Sequence, residues 1–391
     1  MIIVFLSLVG LLALVLALAL MYRALLQHRA ARVLTIHSTS GIDEGRFVHI
    51  GGCEQWVQIR GADRTNPILL IVHGHGLSMG AFTPLLRAFE QHFTVVQWDR
   101  RGVGKTGSRS GKADSQTWTL DLLADDGLAV TEFLCRRLQQ DKVILLGHSQ
   151  GSAIGLLMVR RRPERFHAYV GTGQITEMLR NEIITYATAV ERARTAHHTR
   201  ALKMLEGIGA PPYPAVQTWL IKQRWGVSTS PEMAAWRSLF LPLVLTAPTY
   251  SLREVYHAFT DVLFLPQLLY EELLAFDAQR LFTTFAVPCF IFQGDSDVFS
   301  PPALAQQYIA TVAAPTKGLV LLKGGGHLAL LLQPEQFLQE LLTHVRPLVI
   351  PQTSTTPLDA GGADESPLPD AGLESPVLAL CALPERGGEA R

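Results

Sequence analysis

An α/β fold, with a mainly parallel sheet flanked by helices, is what this sequence predicts, and three observations predict it. Short apolar runs of strand length recur along the chain, helix-length stretches separate most of them, and one run ends in a Gly-flanked serine turn. A chain of 391 residues exceeds one small domain, yet α/β folds often run past ~200 residues as one unit. The formal net charge is +0, so composition makes no case for a nucleic-acid partner. Hydrophobic residues make up 48% and charged ones only 17%, a balance tilted by the N-terminus.

Residues 1–22 read as a transmembrane anchor. Residues 2–20 carry no charge, and Ser7 alone among them has a polar side chain. That length is near the ~20 residues that span a bilayer as a helix. A secretory signal is the rival reading, but no basic stretch precedes the run and no small-x-small cleavage site stands where Met21-Tyr22-Arg23 follows. A core helix would show a polar face, and this run has none. Arg23, Arg29 and Arg32 follow the run while only the α-amino group precedes it. The positive-inside rule then puts the domain that follows, in a single-pass membrane protein, on the cytoplasmic side. Cys53, Cys135, Cys289 and Cys381 lack metal-ligand spacing and call for no disulfide, which agrees with a reducing compartment.

The main domain is expected over residues 33–347. Residues 46–50 and 55–60 read as an antiparallel hairpin around Gly51-Gly52. Residues 67–72, 93–98, 142–147, 166–171, 288–293 and 318–323 are short apolar runs of the kind that form strands buried on both faces. Helices are expected over 79–91, 120–139, 152–161, 301–312 and 334–344. The alternation breaks between residues 174 and 285, where Leu, Ala, Trp and Tyr surround Pro211-Pro212. This stretch reads as an inserted helical cap over the strand ends. Residues 351–391 are rich in Pro, Gly, Ser, Thr and acids, have too little apolar surface to offset ordering entropy, and read as a disordered tail.

Gly147-His148-Ser149-Gln150-Gly151 fits G-x-S-x-G, the nucleophile elbow. A serine lifted above a strand end needs a tight, strained turn, and the residues two before and two after it lie too close for side chains. The helix that follows points its dipole, and the amide of Gln150, at a developing oxyanion. His73-Gly74-His75-Gly76 follows the run 67–72, and its turn can present the amide of His75 as a second oxyanion donor. His-x-His after a strand also opens metal-dependent hydrolases of barrel type. Those need further His and Asp ligands at later strand ends, and one late histidine, His327, is too few, so no metal and no cofactor is expected. Gly104-Lys105-Thr106 invites a phosphate-loop reading, but the pattern demands Gly at 99, which is Asp. Gly107, Gly111 and several Ser also argue against a helix starting there.

Gly294-Asp295-Ser296-Asp297 and Gly326-His327 follow the last two runs. Serine, then acid, then histidine is one of the chain orders in which catalytic triads occur. His327 would take the proton of Ser149 as general base, with Asp295 or Asp297 fixing its tautomer.

On these motifs, together with Asp99-Arg100-Arg101-Gly102-Val103-Gly104, the chain resembles the α/β-hydrolase fold family over about residues 33–347. The resemblance implies Asp297 as the triad acid, because the family's acid commonly lies three residues after the strand-ending Gly. Residues 162–174, Asn181-Glu182 and residues 207–213 are similar to proline iminopeptidase-like serine hydrolases. The chain departs from them at His148 and Gln150, where they carry Gly and Trp, and at His73-Gly74-His75-Gly76, where they read His-Gly-Gly-Pro-Gly.

The function expected is a serine hydrolase that forms an acyl-enzyme on a small-molecule or short-peptide amide or ester admitted under the cap. An aminopeptidase needs carboxylates for the substrate's ammonium group, and Glu177 and Glu182 at the cap entrance are the candidates. A solvated helix face is the plainer reading of either taken singly. A carboxylesterase or lipase wants a wide apolar cap, which the region of Trp219, Trp225 and Trp236 allows. A non-catalytic binding protein on the same fold is the alternative of another class. It would be expected to have lost part of the triad, and all three residues are present.

Overall fold

The hairpin and the six apolar runs become eight strands of one sheet. The computed structural model describes residues 1–349, except His75, Leu77, residues 112–117 and Thr229. The tail expected over 351–391 lies outside the described residues. The strands are β1 (Ile42–Ile50), β2 (Cys53–Gly61), β3 (Ile68–Val72), β4 (Thr94–Asp99), β5 (Val143–His148), β6 (Phe166–Thr172), β7 (Cys289–Gly294) and β8 (Lys317–Leu322). Their spatial order is β1-β2-β4-β3-β5-β6-β7-β8. Only β1 with β2 and β2 with β4 run antiparallel; every other pairing is parallel. The α/β fold class with a mainly parallel sheet is therefore as the sequence predicts.

β3 explains why its sequence is apolar without alternation. It lies between β4 and β5, and all five residues are buried. Leu70 and Val72 face a core shared with Val130, Ile154 and Tyr308, while Leu69 and Ile71 face one shared with Phe82, Phe89 and Phe337. Both faces are covered, so both sets of side chains must be hydrophobic.

The first helix, α1 (Ile2–Val33), precedes the sheet. α2 (Gly104–Ser110) and α3 (Leu120–Leu138) follow β4, α4 (Gln150–Arg161) follows β5, and the helical stretch read as a cap lies between β6 and β7. It comprises α5 (Met178–Thr195), α6 (Thr199–Ile208), α7 (Val216–Gly226), α8 (Pro231–Thr246), α9 (Leu252–Leu274) and the short α10 (Ala278–Leu281). α11 (Pro302–Thr311), α12 (Ala329–Leu332) and α13 (Pro334–His344) complete the domain. Local chemistry sets the starts: Pro231 occupies the first turn of α8, and Ser251 with Glu254 forms a capping box on α9.

Two local expectations are corrected. Met79–Gln91 is a 3₁₀ helix, with Pro84 inside it. Proline has no N–H to give the α-helical ladder and crowds the preceding turn. A helix does form at Gly104–Ser110, against the expectation of a loop there. Its first amides are taken by carboxylates: Gly104 N donates to Asp261 Oδ2 at 3.0 Å and Lys105 N to Asp99 Oδ2 at 2.9 Å. The helix N-terminus where a phosphate would sit is thus filled by side chains of the protein.

α1 is longer than the apolar run that identified it. Its 32 residues span about 48 Å as a helix, against roughly 30 Å of bilayer hydrocarbon. The apolar window is exposed throughout, and the helix is long and apolar enough to cross a membrane. The polar end docks on the cap. Arg23 Nη2 donates to Tyr250 O at 2.6 Å, and Gln27 Nε2 donates to Ala247 O and Tyr250 O at 2.7 and 2.8 Å.

Candidate active site

The turn from β5 into α4 carries the serine. Ser149 sits at φ 54°, ψ −124°, a backbone conformation that non-glycine residues rarely adopt. The turn is held by Ser149 N donating to Thr172 O at 2.9 Å and by Ser152 N and Oγ donating to Ser149 O at 2.8 and 2.6 Å. Gly151 has to be glycine, since a Cβ there would lie 1.9 Å from the carbonyl oxygen of Val72. The turn therefore abuts the neighbouring strand end, and Ser149 is presented at the C-terminal edge of the sheet, where open α/β sheets place ligands.

His327 lies in the loop after β8, and Asp297 in the loop after β7. His327 Nδ1 is 3.0 Å from Asp297 Oδ2 and 3.2 Å from Oδ1. The carboxylate is fixed by Phe299 N and Ser300 N, which donate to Oδ1 at 2.7 and 2.8 Å, and by Gln293 Nε2, which donates to Oδ2 at 2.7 Å. Asp295 points elsewhere, accepting from Gly324 N at 3.0 Å and Ser296 Oγ at 2.8 Å. Burial opposes a charge on His327, but the Asp297 carboxylate outweighs it and, with Glu232, raises the imidazole above its usual value. Gly173, at φ 52°, backs the ring; a Cβ there would come within 2.8 Å of it.

Three further side chains support these groups, none of which the sequence assigned a role. His148, the variable residue before the serine, packs against His327 with ring centroids 5.0 Å apart and has Nε2 3.0 Å from the His327 carbonyl. Burial, and then the charge of His327, pushes the His148 imidazole down to about 3, so the neutral ring donates that hydrogen bond. Glu232 of α8 accepts from His327 N at 3.0 Å and Leu328 N at 2.6 Å. Arg100, at the end of β4, donates to Gly74 O at 2.8 Å and Gln150 Oε1 at 3.1 Å. It is wholly buried, which lowers its guanidinium to about 9, and among the described residues no carboxylate lies within ion-pair distance. Arg100 stands in the Asp99–Gly104 motif, but nothing there shows what its guanidinium holds. Glu232 looks like an ordinary acid in a first helical turn.

Ser149 and His327 open on one cavity of about 710 Å³. Its walls are largely apolar: Met178, Trp219, Trp236, Phe240 and Phe299 contribute, and Trp225 does not. Glu182 also lines it, but its carboxylate is buried in an ion pair with Lys222 Nζ at 2.9 Å. Glu177 is not among the lining residues; it caps α5, half-exposed, 3.9 Å from Arg180. Gln150 sits at the first position of α4, whereas His75 lies outside the described residues.

Comparison with known proteins agrees with this architecture. A probable aminopeptidase, YbaC, of Bacillus subtilis (strain 168) is 28% identical over 309 residues, covering 76% of this chain and 94% of that protein. Among solved structures, a proline iminopeptidase-related protein from Thermus thermophilus superposes with a TM-score of 0.55 at 21% identity, covering 79% of this chain and 100% of the other. A bacterial membrane phospholipase A, described as a virulence factor, superposes with a TM-score of 0.52 at 16% identity, covering 89% and 99%. The sequence profile of the alpha/beta hydrolase fold matches residues 67–334. The chain is a hydrolase that belongs to the α/β-hydrolase fold family.

Proposed function

We propose that this hydrolase is a membrane-anchored serine esterase that works through an acyl-enzyme on an ester with an apolar acyl group. The observation that carries the reading is the meeting of Ser149 and the Asp297-oriented His327 on one apolar cavity. Ser149 Oγ attacks the ester carbonyl as His327 Nε2 takes its proton. Asp297 holds the Nδ1–H tautomer and stabilises the imidazolium that forms. The tetrahedral oxyanion is met by the amide of Gln150 at the start of α4, with the His75 amide as its partner. His327 then protonates the leaving alkoxide, and a water activated by the same imidazole releases the acid.

An aminopeptidase is the second reading, favoured by the relative named a probable aminopeptidase. Glu182 is then the receptor for the substrate's ammonium group, and Glu177 a more remote contributor. Against it, Lys222 already balances the Glu182 charge, so an incoming ammonium gains little there. The apolar run of α1 is the proposed anchor, and Arg23, Arg29 and Arg32 after it favour a cytoplasmic catalytic domain.

A fluorophosphonate probe should label the wild-type protein and not Ser149→Ala; absence of labelling and of turnover would leave a non-catalytic binder. On a substrate panel, short and medium acyl esters should be cleaved in preference to prolyl arylamide. Preference for the arylamide with a free amine, lost on N-acetylation, would replace the esterase reading with the aminopeptidase. Deleting residues 2–22 should move the protein from the carbonate-resistant membrane fraction to the soluble one. Protease digestion of the domain from outside intact cells would reverse the orientation.

A further inference from the structure

We infer that the α8–α9 face of the cap rests on the phospholipid bilayer, so that the cavity draws the acyl chain of a membrane lipid ester directly from it. This rests on the anchored-esterase reading and names its substrate class. The first observation is where α1 lands. Arg23 and Gln27, just past its apolar run, bind Ala247 and Tyr250, which form the corner between α8 and α9. A helix spanning the bilayer therefore leaves it at that corner and holds that corner at the membrane surface.

The second observation is what the corner exposes. Leu252, Tyr256 and Phe259 are 56, 65 and 43% exposed and recur at i, i+4 and i+7, so they form one stripe along α9. Leu241, on the second half of α8, is 48% exposed. The opposite side of α9 is tied to the domain, since Asp261 accepts the Gly104 amide. The stripe begins two residues after Tyr250, the residue that receives the anchor. The exposed Arg253 and Arg237 suit anionic headgroups. An apolar helical face with basic neighbours is the pattern of a helix lying in a membrane interface.

The third observation joins this surface to the chemistry. Phe259 is both exposed and part of the cavity wall, and Ala258 of α9 with Trp236 and Phe240 of α8 lines the same cavity as Ser149. Phe259 thus joins the exposed stripe to the cavity that holds the serine. A water-soluble small ester has no need of such a surface, whereas a diacyl lipid would otherwise have to leave the membrane through water.

The test uses the full chain reconstituted in phosphatidylcholine–phosphatidylglycerol vesicles and the double variant Leu252→Gln/Tyr256→Gln. Hydrolysis of the vesicle lipid should fall at least tenfold, while turnover of a soluble butyrate ester stays within twofold of wild type. Equal vesicle rates for variant and wild type overturn the inference, as does a wild type that cleaves the butyrate ester and leaves the vesicle lipid intact. If both rates fall together, the replacement Tyr256→Trp decides: it keeps an interfacial side chain and should retain vesicle hydrolysis, and its loss there overturns the inference. Failure of the underlying readings shows separately, as wild-type protein that does not sediment with vesicles or does not cleave the butyrate ester.

Discussion

Glu232, on the first turn of a cap helix, accepts the backbone amides of His327 and Leu328 at 3.0 and 2.6 Å. The cap thus holds the loop that carries the proposed general base. Burial raises the Glu232 carboxyl, and the two amides pull it back. Glu232→Gln puts an NH₂ group where one of two amide donors must be accepted. Leaving a buried donor unsatisfied costs about 1–3 kcal/mol. The expected outcome is a protein that folds, loses roughly tenfold in kcat, and changes KM little; unchanged kcat would mean that the clamp is not needed to position His327.

The pH profile should carry the mark of the same environment. His327 must be neutral to take the serine's proton, and its value is raised by Asp297 and Glu232 against the opposing effect of burial. Activity therefore falls as pH drops through an apparent pKa above the usual histidine value of about 6.5. Removing the charge of Glu232 should move that acid limb to lower pH. kcat/KM measured across the neutral range, from mildly acidic to mildly basic buffer, for wild type and Glu232→Gln checks both the position and the direction.

Asp297→Asn should cost far more activity than Asp295→Asn. Only Asp297 reaches His327 Nδ1, while Asp295 binds the Gly324 amide and Ser296. In serine proteases the corresponding acid-to-amide change lowers kcat on the order of 10⁴-fold, by selecting the wrong tautomer. Comparable losses from the two variants would remove Asp297 from its proposed role.

Ser149→Gly should be more stable than wild type and inactive. Serine at φ 54° stores backbone strain of about 1–3 kcal/mol, which glycine largely relieves. Denaturant unfolding of wild type, Ser149→Gly and Ser149→Ala separates this from loss of the hydroxyl. A glycine variant no more stable than the alanine one would show that the elbow is unstrained.

Arg100→Met should impair catalysis more than binding. It leaves Gly74 O and the Gln150 side chain without the guanidinium that holds both, on the two segments expected to supply the oxyanion donors. Hydrogen bonds to a charged group contribute about 1.5–3 kcal/mol, so a ten- to hundredfold loss in kcat is expected. Partial recovery in Arg100→Lys, with KM constant across the set, would mark a positioning role; a parallel rise in KM would point to collapse of the cavity.

How much of this was legible in the chain follows from the range of the forces involved. Strands β3 to β7 announce themselves because a strand covered on both faces must be apolar along its whole length, as in Ile68–Val72, whereas the edge strand β8 is largely half-exposed. The elbow is legible because its strain and close packing restrict residues two positions apart, and Ser149, Asp297 and His327 fall at strand ends in a known order. Even the membrane-crossing length of residues 2–20 is local, since it needs only consecutive apolar side chains. What tertiary structure decided was every polar contact between distant segments. Glu232 lies 95 positions from His327, and Arg23 lies 227 from Tyr250, with no periodicity to pair them. Nothing in the sequence pairs Glu182 with Lys222, which folding brings to 2.9 Å. The turn-like Gly104–Ser110 becomes a helix because Asp99 and Asp261 arrive from elsewhere to accept its first amides. Backbone preference and hydrophobic period act over a few residues and can be read from the sequence, whereas the partner of a buried charge is chosen only when the chain has closed around it.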